Sequence, residues 1–372
     1  MTWATLHKSS EELASAAHEA RRRGDTRQAE ALFGQAADAE EQALGFLSPQ
    51  DKPRTFGITA VSAVALWYKA RELGRAAQLA HSVLAVPGIP TFALEQLRGL
   101  LQTLWNEQAQ ESSGVSFVPG QILVSVKGGE IVTGGAPLDL VVDKVQTIQA
   151  LFYRTAEFLK NIPLRRKGPP SRDIQELYRP WLFQSVTGSY QFTVAIQSPK
   201  QADLFHEPKP DPGLVAATFF SILQSAVEDP GEGLAHVVPD KDYKATFLKL
   251  TRNLAPSGRV FSEMELRASD DAHPILLSPD SRKVITNTLR SEAPRETESE
   301  ALVSVSLNGI LRAVHLDDDW LQLSVDGQTI RVTGVGETVD DVIGPMVNHQ
   351  VMVQAVRDAR GQHRFRDVEL EE

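Results

Sequence analysis

The sequence predicts an α+β multidomain protein, and three observations carry that prediction. Residues 1–108 are dominated by alanine-rich stretches with apolar residues at helical spacing. Residues 115–290 mix helical periods with alternating, strand-like runs. Residues 302–372 alternate apolar and polar residues through five short runs around one short helical stretch. The segments "EQAQESSGVSF" and "RSEAPRETESEA" break these patterns and read as linkers.

The first piece opens with "SSEELASAAHEARRRGDTRQAEALFGQAADAEEQAL", a helix, a Gly-Asp turn and a second helix. Ser9 or Ser10 is expected to cap the first helix, with Glu12 completing a capping box. Ala16, Ala20, Ala29 and Ala36 are small enough to let the two helices approach closely. "ALWYKARELGRAAQLAHSVLA" echoes the hairpin, with Ala70 four residues before Gly74 as Ala20 is four before Gly24. A third helix, "TFALEQLRGLLQTLWNE", is amphipathic through Phe92, Leu97, Leu100, Leu101 and Leu104. The stretches "EARRRGDTRQAEALFGQA" and "YKARELGRAAQLA" resemble tetratricopeptide-type repeats, although the offset of fifty residues exceeds the ~34 of that repeat. The resemblance implies a helical groove that receives another protein. A plain helical bundle is the other reading.

In the second piece, "GQILVSVKGGEIVTGG" reads as a hairpin turning at Gly128 and Gly129. Pro137 starts a helix whose buried face is expected to include Leu138, Val141, Val142, Val145, Ile148, Phe152, Ala156 and Leu159. "RDIQELYRPW" reads as a helix and "GSYQFTVAIQS" as a strand with one wet face. The helices "GLVAATFFSILQSAVED", "DKDYKATFLKLTRNLAP" and "SPDSRKVITNTL" and the strand "RVFSEMELRAS" complete an α+β domain. In the third piece, three strands, a short helix "TVDDVIGPMV" and two more strands follow the order of an OB-like small β-barrel, with an SH3-like barrel as the alternative. The runs "GGAPLDLVVDKVQTIQALFYR", "LFQSVTGSYQFTVAIQ" and "LNGILRAVHLDDDWLQLSVDGQTIRVTG" resemble a group of bacterial proteins that join a helical N-terminus to an α+β middle and a small barrel. That resemblance spans 115–372 and implies the domain division; it brings no established activity.

Composition narrows the function. The chain has 372 residues, no cysteine and a net charge of −10. Thiol nucleophiles, thiolate metal sites and disulfides are excluded, which fits a reducing cytoplasm. No run reaches the ~18 apolar residues of a membrane helix, and the polar start is unlike a signal peptide. The nine histidines are scattered; His273, beside Asp270 and Asp271, comes nearest to a metal set but lacks a second cluster. Asp317, Asp318 and Asp319 read as an acidic turn between strands rather than a cation site, and Gly334 to Thr338 lacks the lysine of a phosphate loop. No catalytic residue, metal ligand or cofactor site is assigned. The expectation is a cytoplasmic, non-enzymatic adaptor or regulatory subunit that binds a protein through the helical groove, as in bacterial defence or signalling systems.

Two further sites are candidates. From Arg154 to Arg179 there are seven Lys or Arg against three acids. Arg165, Arg166, Lys167, Arg172 and Arg179, with Tyr178, combine charge and an aromatic ring, a combination that grips single-stranded nucleic acid. The alternative is a solvated loop. The barrel itself is too acidic to read phosphates. Between Ser198 and Gly213, a stretch rich in proline, stands Gln201-Ala202-Asp203-Leu204-Phe205. It resembles the Q-x-x-L-F peptide by which bacterial proteins dock on the DNA polymerase sliding clamp. That resemblance implies that Leu204 and Phe205 fill an apolar pocket while Gln201 bonds at its rim. Folding back as an internal staple is the other reading. Replacing Leu204 and Phe205 together by alanine separates the two. A staple loses roughly 3–6 kcal/mol of stability, read as a fall in melting temperature; a hook keeps its stability and loses a co-purifying partner.

Overall fold

The computed structural model describes residues 2–112, 116–117, 122–132, 135–184, 190–198, 210–268, 273–292, 303–336 and 338–371. The chain is α+β and divides into two compact units, one of residues 1–115 with 183–192, the other of residues 116–182 with 193–372. The central and C-terminal segments share the second unit.

The first unit is built from α1 (Trp3–Arg22), α2 (Thr26–Leu44), α3 (Pro53–Lys69), α4 (Leu73–Leu84) and α5 (Thr91–Ser112). Alanines form the seam: Ala17, Ala20, Ala29, Ala36, Ala37, Ala60, Ala76 and Ala80 are buried together with Phe33, Trp67, Leu97 and Leu104. Helix α1 starts earlier than the capping-box reading expects. Its N-cap is Thr2, whose side chain accepts from the Thr5 amide. Ser10 lies a third of the way along α1, buried, and donates to the Ala36 carbonyl of α2. A serine can leave its own backbone for a neighbouring helix in this way.

The two hairpins turn with the same bonds, at an offset different from that of the alanine–glycine echo. The Asp25 amide donates to the Ala20 carbonyl at 3.0 Å, and the Glu72 amide to the Trp67 carbonyl at 3.1 Å, so the offset is 47 (72 against 25). Gly24 holds the left-handed position in the first turn with φ +81, but in the second it is Arg71 with φ +63. Gly74 is an ordinary helical residue of α4. The extra bonds at each end satisfy carbonyls that a terminating helix leaves open.

The second unit has β1 (Ser116–Phe117), β2 (Ile122–Lys127), α6 (Leu138–Leu159), α7 (Arg172–Leu177), β3 (Pro180–Gln184), β4 (Tyr190–Ser198), α8 (Pro212–Glu228), α9 (Glu232–Val237), α10 (Lys241–Leu254), β5 (Glu263–Ala268), β6 (Ile275–Leu277) and α11 (Pro279–Glu292). The sheet order is β1-β4-β2-β5-β6, with β3 paired to β4. Trp181, expected at the end of a helix, is in β3. Pro212, at the end of the proline-rich stretch, joins Gly213 in the first turn of α8 behind the Asp211 cap. Proline is tolerated there because the first-turn amide has no helical acceptor. The buried face of α6 also differs from its apolar stripe. Leu138 is 78% exposed and Val142 is exposed too, whereas residues 151–157 are all buried, Arg154 and Glu157 included.

Gly128 and Gly129 do not turn a hairpin onto β2. Both edges of β2 are taken, by β4 and β5. The chain instead runs against the segment before β5: the Glu130 amide donates to the Val260 carbonyl at 2.8 Å and the Ser262 amide to the Lys127 carbonyl at 3.0 Å. Gly129 has φ +62, and a Cβ there would lie 2.1 Å from the Val260 oxygen.

The C-terminal strands are β7 (Val303–His315), β8 (Trp320–Val325), β9 (Gln328–Thr333), β10 (Gln350–Arg357) and β11 (His363–Leu370), with α12 (Asp340–Ile343) and a 3₁₀ turn, Gly344–Met346, between β9 and β10. They close into a barrel in the order β10-β11-β9-β8-β7. The β9–β11 pair is parallel, and the β7–β10 pair is antiparallel. Leu311, Leu321, Leu323, Val332, Val351, Val353 and Val368 are buried along its strands, and Val342, Ile343 and Met346 are buried on the connecting helix and turn. No helix among the described residues is long and apolar enough to cross a membrane.

Gly129→Ala is expected to lower stability by more than Gly327→Ala, measured by denaturant titration. Both glycines have positive φ, but a Cβ at Gly327 meets open space. Gly327→Ala therefore carries only the left-handed conformational cost, roughly 1–2 kcal/mol. Gly129→Ala adds displacement of the Val260 backbone.

Candidate functional site: a helical groove and a buried charge cluster

The first unit carries an open groove of about 640 Å³ between one face of α2 and the α3–α4 turn. Arg27, Ala31, Gln35 and Asp38 come from α2 at helical spacing, with Glu72 and Arg75 opposite. Trp67 closes the inner wall. Its indole Nε1 donates to Glu41 at 2.7 Å. The Arg75 guanidinium lies 3.6 Å from its ring centroid, a cation–π contact. Asp38 and Glu41 stand 3.8 and 4.0 Å from that guanidinium. The sequence reading placed a groove in this unit without naming these residues. Trp67 and Arg75 are eight residues apart across a turn, a spacing that only the closed hairpin converts into contact.

The basic segment of the second unit is bound into its own fold. Arg154 is fully buried. Its Nε donates to Asp341 at 2.7 Å, and its Nη1 is 3.2 Å from Glu157. Arg165 reaches the same carboxylates, with Nε 2.9 Å from Glu157 and Nη2 3.1 Å from Asp341. Asp340 stands 3.6 Å from Arg165 and 3.8 Å from Arg154, and it accepts from the Gly168 amide. Two guanidiniums thus face three carboxylates. Burial works against the Arg165 cation, but Asp341, Glu157 and Asp340 outweigh it and hold its pKa above the usual value. Burial, reinforced by the adjacent Asp341, pushes the Asp340 carboxyl up, against the pull of the Gly168 amide, Arg165 and Arg154.

The other basic candidates are placed as follows. Arg166 donates to the Gly336 carbonyl at 2.7 Å, and Lys167 pairs with Asp317. Arg172 is exposed at the start of α7. Tyr178 is buried and donates to the Pro210 carbonyl at 2.8 Å. Its burial, with Asp211 nearby, pushes the phenol up to about 12. The Arg179 guanidinium lies 5.9 Å from the Trp181 ring centroid. The structure therefore brings Arg165, Arg166 and Lys167 against the barrel and leaves Arg172 and Tyr178 apart from them. Gln201, Leu204 and Phe205 lie outside the described residues, as do Asp270 and Asp271 beside His273. The Asp317–Asp319 run is a turn: Asp319 has φ +60 and accepts from the Gly336 amide. Among the described residues, no group of three or more His, Asp or Glu is placed to hold a metal ion.

Arg154→Met is expected to destabilise the second unit by roughly 3–5 kcal/mol, because it leaves the buried Glu157 and the Asp340–Asp341 pair facing Arg165 alone; urea unfolding measures this. Asp340→Asn is expected to melt above the wild type at pH 8, with the gap closing as pH falls toward about 3.9, the value in an unfolded chain. The sign follows from linkage. A carboxyl with a raised folded pKa binds its proton more tightly when folded, so its contribution to stability grows as pH falls. A scan against family models, a search of curated proteins and a search of solved structures each return no significant match.

Proposed function

We propose that the chain is a non-enzymatic adaptor whose helical unit receives a segment of another protein. The observation that carries this reading is the open groove between α2 and the α3–α4 turn, walled by Trp67 and rimmed by charges of both signs. In this reading the helical unit is a tetratricopeptide-like array. Its support is the recurrence of one capping pattern in successive hairpins, though at 47 residues the spacing is wider than in that repeat. The barrel is read as OB-like rather than SH3-like. The closing parallel pair between its third and fifth strands, with a helix between the third and fourth, supports this.

The basic segment is not assigned to nucleic acid, because Arg165, Arg166 and Lys167 already hold partners in the fold. Phosphate binding by Arg165 would have to compete with its pairs to Glu157 and Asp341.

The adaptor reading is tested on the full chain isolated from its source cells. Native mass spectrometry is expected to show a stoichiometric companion, released by Ala31→Tyr, which fills the groove floor without adding charge, with no change in melting temperature. Nucleotides, esters, peptides and nucleic acids are expected to pass unchanged. Turnover abolished by a single polar substitution overturns the reading.

A further inference from the structure

We propose that the groove over Gly34 receives an extended peptide segment bearing arginine or lysine, an inference that rests on the adaptor reading and names its partner's chemistry.

The first argument is a glycine without an internal reason. Gly34 is in the middle of α2, where glycine weakens a helix relative to alanine. A Cβ at this position would meet the Ala70 Cβ at 3.9 Å and a Trp67 ring carbon at 4.0 Å. Those are ordinary contact distances, so the packing of α2 on α3 does not require glycine. What the missing side chain does is leave the groove floor open. Ala31 and Ala70 extend that floor with small side chains. A flat, small-residue floor lets another backbone approach α2 closely.

The second argument is charge. Glu30, Asp38 and Glu72 line the groove, with Glu41 behind Trp67. Arg27 and Arg75 are the cations among these residues. Three lining carboxylates therefore face two guanidiniums, while Glu41 is bonded to the Trp67 indole. Glu30 and Glu72 make no ion pair among the described residues, so their charge is open to a ligand. Arg75 shows how the site holds a cation: its guanidinium lies on the Trp67 face with Asp38 and Glu41 beside it. Both pairs are longer than a hydrogen bond, and the Arg75 side chain is 52% exposed. A second guanidinium or ammonium entering along Gly34 meets the carboxylates of Glu30 and Glu72. An acidic segment meets the surplus carboxylates and is repelled.

The test uses the full chain and two blocked hexapeptides, one alternating glycine with arginine, the other glycine with glutamate, followed by titration calorimetry at low and high salt. The arginine peptide is expected to bind, more weakly at high salt, and the glutamate peptide to give no heat of binding. Glu72→Gln is expected to weaken the arginine peptide by about 1.5- to 5-fold, the range of one exposed ion pair. Gly34→Leu is expected to abolish binding, and Gly34→Ala, whose Cβ meets only ordinary contacts, to weaken it while melting at or above the wild-type temperature, because alanine is the better helix former. Equal binding of both peptides, or unchanged arginine-peptide binding by Gly34→Leu, overturns the proposal. If neither peptide binds while Gly34→Leu releases the companion protein, the cationic ligand is wrong and the adaptor reading stands. Turnover in the enzymatic screen strikes the adaptor reading itself.

Discussion

Buried guanidinium groups are the constraint on which the second unit depends. Arg154 of α6 and Arg252 of α10 are both fully buried, and each reaches into the C-terminal barrel. A buried cation without a partner is very costly, so its carboxylates are as much a part of the fold as the apolar core. Arg154 and Arg165 hold Asp341 on α12. Arg252 holds Asp367 on β11, and its Nη2 donates to the Val368 carbonyl at 2.7 Å. Arg282 of α11 adds a bond to the Leu370 carbonyl at 3.0 Å. The barrel is therefore clipped to the helices at two places, its connecting helix and its last strand. This is the physical reason that 302–372 and the central segment form one unit.

The same arrangement ties part of the basic segment to the barrel. Arg165, Arg166 and Lys167 are adjacent in sequence and look like a cationic patch. In the fold, their partners are Asp341, Gly336 and Asp317, all from the barrel. Arg165 is neutralised across an internal boundary, whereas Arg166 bonds a neutral carbonyl and the Lys167–Asp317 pair stays at the surface. The Asp367 carboxyl is affected in the same sense: burial alone would raise its pKa, but the Arg252 guanidinium dominates and holds it below the usual carboxylate range. The helical unit uses charge differently. Apart from Glu40, which is buried against His7 at 2.9 Å, the charges around its groove stay at the surface, so an external ligand can reach them.

Much of the fold was legible in the sequence because it is local. Helices α2, α5, α8 and α10 follow from apolar spacing and flanking turn residues, and the barrel strands from alternation between turns. The elements that escaped were short or depended on distant neighbours. Strand β6 has three residues and α9 six, too few for a period to register. Trp181 joins β3 because β4 is there to pair with it. Ser10 could not be read as an interhelical donor because its acceptor, Ala36, is twenty-six residues away. The candidate groove was legible only as a consequence of helical hairpins; its cation–π contact and its carboxylates were not, since they come from three helices.

By itself, the sequence determined the class of each segment, the helical character of the first unit, the succession of strands and helix along the last piece and the absence of thiol chemistry. These follow from composition, period and turn residues within a few positions of one another. Only the tertiary structure decided which charges are exposed. Arg154 and Arg75 are alike as letters, each on a helix with acids nearby in sequence. One is sealed against Asp341, 187 residues away, and the other lies open on the face of Trp67. Burial depends on what packs over a side chain, and that is set by chain segments too far apart for any local pattern to record.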